Sequence, residues 1–85
     1  MQTETKHLLF MLGQTIHGAV VGSKQHEPLI VASMKYAAER IRTIEKGAYE
    51  STLGLVLVLL EQEYDPSLTP HILSLTSVVI QVLLE

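Results

Sequence analysis

The sequence predicts an all-α fold, a small four-helix bundle built from two helical hairpins, that assembles into an oligomer. Apolar residues recur at helical spacing in the first half, turn-forming residues separate the segments, and the second half is almost uncharged. The 85 residues form one domain, 1–85, and the hydrophobic share of 47% excludes a disordered chain. A folded monomer of this size keeps roughly 5,000 Å² of surface and therefore has only a small core.

The first predicted helix extends from about Thr5 to Val21. Thr3 or Thr5 is the expected N-cap, because a hydroxyl can accept a hydrogen bond from a free N–H group of the first turn. Gly22 is the expected C-terminal stop. The apolar residues of this segment recur at intervals of one helical turn and are Leu8, Leu9, Leu12, Ile16, Ala19 and Val20.

The second predicted helix begins at Pro28, a residue that suits the first helical turn. Lys46 lies in the last turn, where a cation interacts favourably with the helix dipole, and Gly47 follows it. An apolar seam steps alternately by four and three residues and consists of Ile30, Met34, Ala37, Ile41, Ile44 and Ala48. The seam covers fewer than three heptads, which favours a packed bundle helix over a long coiled coil.

The third predicted helix extends from about Ser51 to Tyr64, and no side chain in 53–60 is polar. A helix that is apolar on all sides is typical of a buried position. An eight-residue apolar run is also compatible with a core strand. The alternative is therefore an α+β fold with a hairpin of strands from 53–60 and 76–83.

The fourth predicted helix extends from Pro70 to about Leu84. Asp65 and Thr69 each precede a proline, which is the pattern that begins a helix. One narrow polar stripe follows helical spacing, and the rest of the circumference is apolar. The polar stripe consists of His71, Ser74, Ser77, Gln81 and Glu85.

Charge is unevenly distributed along the chain. Residues 1–46 carry six Lys and Arg and four Glu, a net charge of +2, whereas residues 47–85 carry five acids and no Lys or Arg, a net charge of −5. The total of −3 disfavours nucleic-acid binding, because neutralising phosphates requires clustered Lys and Arg. We therefore expect no nucleic-acid partner.

No residue pattern indicates catalysis, a cofactor or a metal. The chain has no Cys, and none of its four histidines lies three or four residues from another, the spacing of a helical metal site. These histidines are His7, His17, His26 and His71. Glu61 and Glu63 are two residues apart and diverge on a helix, so they do not form a paired acid and base. We expect a protein that is not an enzyme and holds no cofactor or metal.

The apolar runs 53–60 and 72–84 are shorter than the roughly 20 residues that a membrane-spanning helix needs. No positive charges flank the C-terminal run, which disfavours attachment to a membrane surface. The first residues include Glu4, and the apolar stretch 8–12 is too short for a signal peptide. We expect a cytoplasmic protein with no membrane partner.

The nearly uncharged region 53–84 carries more apolar surface than so short a chain is expected to cover by itself. A second copy would cover it, and twofold symmetry is the commonest arrangement of copies. We therefore expect a homo-oligomer and one further protein partner, whose identity the sequence does not give. The expected oligomer interface consists of Leu55, Val58, Leu59, Ile72, Leu75, Val79, Val82 and Leu83.

The second predicted helix also carries a basic and aromatic face. Tyr36 and Arg40 are one turn apart, so the guanidinium can stack on the ring, and Lys35 and Arg42 flank them. Such a face suits contact with an acidic partner surface or an anionic ligand. The sequence thus predicts a non-enzymatic interaction module, such as a small adaptor, inhibitor or immunity-type factor. The alternative is an oligomeric binder of a small anionic ligand.

Overall fold

The described residues of the computed structural model form four α-helices. These are α1 (Thr3–Val21), α2 (Pro28–Ile44), α3 (Ala48–Gln62) and α4 (Thr69–Leu84), with a 3₁₀ turn at Pro66–Leu68. The structure describes residues 2–62 and 65–85, apart from the side chains of Tyr49, Leu55, Val56, Leu59 and Leu60. The all-α prediction is confirmed, and the helix ends lie within about three residues of those expected. The predicted end at Tyr64 lies outside the described residues.

The alternative α+β fold is wrong. The stretches 53–60 and 76–83 are helical throughout, and the described residues contain no strand. The ambiguity arose because an uninterrupted apolar run has no periodicity that distinguishes a buried helix from a buried strand. Packing of both stretches against other helices decides between the two.

The first helix begins without a side-chain cap. Gln2 is the N-cap residue and its side chain makes no cap hydrogen bond, so neither Thr3 nor Thr5 has the predicted capping role. Thr5 lies inside the helix and is fully buried. At the other end Gly22 follows the last helical residue, as predicted, but the left-handed residue is Ser23, with φ 57°.

Two turns position the helices of the second half. Gly47, between α2 and α3, has φ 83°, a conformation that glycine adopts without steric cost. Before α4, the Asp65 carboxylate accepts hydrogen bonds from Ser67 Oγ at 2.7 Å and from the Ser67 backbone N–H at 3.0 Å. The hydroxyl, and then the amide, hold the pKa of Asp65 below its usual value, because both stabilise the ionised form. Asp65 therefore caps the 3₁₀ turn, as its place before a proline predicts. Thr69 also precedes a proline, but the N-cap residue of α4 is Leu68, which makes no side-chain cap hydrogen bond.

Packing of α4 against the other three helices forms the core. It contacts α2 most extensively and also contacts α1 and α3. Met34 and Ile41 of the predicted seam are fully buried in this core. The predicted second helix extended too far, because α2 ends at Ile44, before Lys46, and Ala48 belongs to α3. The buried apolar side chains are Leu9, Leu12, Ile16, Ala19, Val20, Met34, Ala38, Ile41, Ala48, Ile72, Leu75, Val79 and Val82.

The single chain already has the dimensions of a folded monomer. Its accessible surface is 5423 Å², against roughly 5,000 Å² expected for this mass. Its radius of gyration is 11.9 Å, and about 12 Å is expected for a compact domain of this length. One copy therefore buries a core of ordinary size for its length.

Ile72 and Leu73 are neighbours on different sides of α4, 1% and 47% exposed. Ile72→Ala leaves a cavity, so we expect the free energy of unfolding to fall by about 2–5 kcal/mol. Leu73→Ala removes a half-exposed side chain and is expected to cost less than about 1 kcal/mol. Urea denaturation measures both variants. If Ile72→Ala does not fold, Ile72→Val should cost about 0.5–1.5 kcal/mol. Equal costs at the two positions would contradict this core.

Candidate functional site

Four residues predicted to form an oligomer interface lie inside the chain itself. Ile72, Leu75, Val79 and Val82 are between 1% and 6% exposed, because the other helices cover this side of α4. They are not accessible to a second copy, so their assignment to an interface between copies is corrected. Apolar spacing along α4 showed that these side chains need cover, but it did not show which chain supplies it.

The other predicted interface residues are divided between surface and core. Val58 on α3 is 46% exposed. Leu83 on α4 is partly buried and packs against the core. The side chains of Leu55 and Leu59 lie outside the described residues. Among the described members of the predicted interface, Val58 is therefore the one that faces solvent.

Two arginines predicted to contact a partner or an anion are engaged by acids of the same chain. Arg40 Nε donates to Glu4 Oε1 over 2.9 Å, which links α2 to the first turn of α1. Arg42 Nη1 lies 3.4 Å from the Val82 carbonyl oxygen and 3.4 Å from Glu85 Oε2. A cation at this place also offsets the partial negative charge at the C-terminal end of α4. Exposed ion pairs of this kind contribute about 0–1 kcal/mol each.

The four predicted contact residues of α2 do not form one cluster. Arg40 and Arg42 are two residues apart and lie on opposite sides of the helix, toward α1 and α4. Tyr36 is 75% exposed and lies one turn from Arg40. Lys35 is exposed on the side of Arg42. A compact anion therefore meets one pair or the other, and not all four side chains.

The outward face of α3 is apolar and exposed. It consists of Leu53, Gly54, Leu57 and Val58, which lie along one side of the helix at positions i, i+1, i+4 and i+5. Leu57 is 62% exposed, Val58 46% and Leu53 37%. No polar side chain interrupts this face over its length.

Buried residues on the opposite side fix the orientation of α3. Ala48 is 3% and Thr52 1% exposed, and Thr52 Oγ1 donates to the Ala48 carbonyl oxygen over 2.9 Å, so the buried hydroxyl has a partner. Glu50 and Glu61 are exposed on the outward side, about three turns apart. The outward face of α3 therefore has a carboxylate at each end.

Gly54 lies in the middle of the outward face of α3, and among the described residues no neighbour requires a glycine there. A Cβ atom on Gly54 would meet no atom within 4 Å. Glycine inside a helix costs about 0.5–1 kcal/mol relative to alanine, because it loses more backbone entropy on folding. The residue thus leaves a shallow notch in an exposed surface and does not accommodate a part of its own chain.

Exposed apolar side chains elsewhere are isolated or interrupted by polar residues. On α1, Phe10 and Met11 share the outward side with His7, Gln14 and His17. The remaining exposed large hydrophobic residues are Val21, Leu29, Tyr36, Leu73 and Leu84. Single exposed apolar residues are normal on soluble domains. Among the described residues, the outward face of α3 is the most continuous exposed apolar surface.

A groove of about 340 Å³ lies at one end of the molecule, where α2 and α4 end and α3 begins. Two cations, Arg42 and Lys46, and two acids, Glu45 and Glu85, line it, so its side-chain charges balance. No group of three or more potential metal ligands lies together in the part of the chain that the structure describes. The groove therefore indicates no ligand.

One described stretch, Pro66–Leu84, is long and apolar enough to cross a membrane by length and composition alone. The sequence-based expectation that the C-terminal apolar run is too short to span a bilayer is therefore revised, because the helical stretch that contains it is long enough. The core helix of a soluble protein passes the same test, and 28% of the apolar window is buried within the chain. This stretch therefore does not decide whether the chain is a membrane protein or a soluble one.

Comparison with known proteins identifies no relative, since no family model, no curated protein and no solved structure matches the chain. Function is therefore inferred from the geometry of the chain. Leu53, Gly54 and Leu57 were absent from the predicted site residues, because a run without polar side chains was expected to be buried on all sides. A signal was present: Glu50 and Glu61 lie on one helical side and mark the side of α3 that faces water.

Gly54→Ala is expected to raise the free energy of unfolding by about 0.5–1 kcal/mol, because the added Cβ meets open space and alanine favours the helix. Gly47→Ala is the matched control, and it is expected to lower stability by about 1–2 kcal/mol, because an L side chain is strained at φ 83°. Urea denaturation of both variants measures the difference. A loss of stability in Gly54→Ala would show that the chain itself needs the space above Gly54.

Proposed function

We propose that this chain is a non-enzymatic protein-interaction module, a small adaptor, inhibitor or immunity-type factor that acts by occupying a partner's surface. Its four helices pack as a bundle of two hairpins, α1–α2 and α3–α4, and this scaffold presents the outward face of α3 to solvent. The observation that carries the proposal is the exposure of Leu53, Leu57 and Val58 along one side of a helix whose other side is in the core.

The free energy available at this face suits reversible binding. Moving an exposed Leu or Val into a fully buried position contributes about 1.5–3 kcal/mol. Because the side chains of the face are already partly covered, a partner gains only part of this from each. Association itself costs an estimated 4–15 kcal/mol, so the face supports modest affinity and needs polar contacts at its rim. Glu50 and Glu61 are placed to supply them.

In this proposal a monomer replaces the homo-oligomer expected from the sequence. Ile72, Leu75, Val79 and Val82, the centre of the expected interface, are covered by their own chain. The surface of 5423 Å² and the radius of gyration of 11.9 Å suit a single folded copy. The outward face of α3 is the surface that remains for a partner.

Binding of a small anion is not carried forward as a second function. Arg40 is paired with Glu4, and Arg42 is paired with Glu85 on the other side of α2. An anion at either place competes with a carboxylate of the chain for the guanidinium. No described observation favours such a ligand over the acids already present.

Light scattering coupled to size-exclusion chromatography tests the oligomeric state. We expect the purified chain to have the monomer mass of 9.4 kDa at micromolar concentration. Leu57→Gln should elute at the same position, because it replaces an exposed side chain without breaking the core. A stable dimer that Leu57→Gln does not dissociate would contradict both the monomer and the place of the interface.

Affinity capture from an extract of the native host tests the interaction function. Leu57→Gln removes the most exposed leucine of the outward face of α3, and Leu29→Gln, at an 83% exposed leucine of α2, is its matched control. We expect the parent chain to retain one protein in stoichiometric amount. Leu57→Gln should lower retention about tenfold, since burial of one leucine is lost, and Leu29→Gln should not.

The free energies of unfolding of both variants are expected to lie within about 0.5 kcal/mol of that of the parent chain, because neither position is in the core. Urea denaturation checks that the comparison concerns the surface and not the fold. Equal retention by the parent chain and Leu57→Gln would contradict a contact at the outward face of α3.

A further inference from the structure

Glu50 and Glu61, the charged side chains described on the outward side of α3, are both acidic. Glu50 and Glu61 are exposed on the same side of the helix, about 16 Å apart along its axis. No Lys or Arg occurs anywhere after Lys46, so no cation of the second half neutralises these carboxylates. A partner that covers the face therefore brings its own groups into a negative field, and positively charged groups at matching places are favoured.

A second copy of the chain does not match this pattern. If two copies of α3 packed side by side in parallel, Glu50 would face Glu50 and Glu61 would face Glu61. In the antiparallel arrangement each Glu50 would face a Glu61. Like charges that are brought together at an interface disfavour that pairing. Both symmetric arrangements therefore place acids against acids. The apolar centre of the face alone would be compatible with either arrangement.

The size of the face suits a helix more than a whole domain. The 15 residues of α3 form a helix about 22 Å long, and only one side of it is available. A standard interface between proteins uses about 20–30 residues on each side. A single amphipathic helix, which inserts a few apolar residues at helical spacing, needs much less. Gly54 lowers the surface at the middle of the face, where a crossing helix can approach closely.

We infer that the outward face of α3 binds an amphipathic helix of another protein, with an apolar stripe between Lys or Arg residues placed to meet Glu50 and Glu61. This inference rests on the proposed interaction function and adds the chemistry of the partner. The apolar stripe packs on Leu53, Leu57 and Val58, and the cations at either end pair with the two carboxylates. Recognition thus depends on apolar contact and charge together.

Three synthetic, helix-stabilised peptides of about 18 residues serve as probes. The first has a leucine stripe with Lys at both ends, spaced about 16 Å apart. The second has the same stripe with Glu at both ends, and the third keeps the Lys residues but has Ser in place of Leu. Fluorescence anisotropy against the full chain measures each affinity. We expect the first peptide to bind about tenfold more tightly than either of the others.

Variants of the chain separate the contribution of the carboxylates to peptide binding from that of the apolar side chains. The double variant Glu50→Gln, Glu61→Gln should bind the first peptide about three- to tenfold more weakly than the parent chain does. It should also bind the Lys peptide and the Glu peptide with equal affinity. Leu57→Gln should weaken it about tenfold, and Leu29→Gln should leave it unchanged. Gly54→Leu should retain the fold but lower binding, because the added side chain fills the notch.

The outcomes separate this inference from the proposed function. If the leucine peptides bind equally and Leu57→Gln weakens both, the interaction face stands and its selection of a basic helix is overturned. A dimer of the chain that Leu57→Gln dissociates also overturns the inference, because the occupant is then a second copy. If the Ser peptide binds as well as the first, the contact is electrostatic attraction alone, and the inference fails. If Leu57→Gln changes neither the binding of any peptide nor the capture of a protein from the host extract, the proposed function is overturned as well.

Discussion

Packing of α4 against α2 is the contact on which the rest of the structure depends. Ile72 and Val79 of α4 and Met34 and Ile41 of α2 are all 1% exposed or less. A chain of 85 residues has few other places to bury so much apolar side-chain volume. Because α2 covers this side of α4, these buried residues are not accessible to a second copy, although the sequence of the helix is almost uncharged.

The position of α4 also determines which side of α3 is buried and which side is exposed. This helix contacts α4 and α1 with the side that carries Ala48 and Thr52. No other described element covers its outward side, so Leu53, Leu57 and Val58 remain exposed. In a small domain of packed helices, each helix buries one side against its neighbours and leaves the other side uncovered. A helix of this kind with apolar residues on two sides therefore leaves one of them exposed.

The sequence predicted the helices well and the covering of their faces poorly. Proline and glycine positions and helical spacing located α1, α2 and α4, because those signals act within one segment. The apolar run 53–60 has no such spacing and left a strand open as the alternative for α3. The assignments of Ile72 and Val79 to a second copy were wrong, since local spacing does not show which element covers an apolar side chain. The apolar face at Leu57 was missed for the same reason: its exposure follows from where α3 lies relative to α4, which depends on contacts distant in sequence.

Exposed apolar surface normally brings a risk of self-association, and the two carboxylates beside this one limit that risk. Glu50 and Glu61 oppose the symmetric pairing of two α3 helices, yet each is favourable to a cation on a different chain. In the proposed function, solubility of the free chain and selection of a partner have one physical origin. In this proposal, the excess of acid after Lys46 keeps the chain apart from its own copies and leaves an apolar helix face for a basic helix.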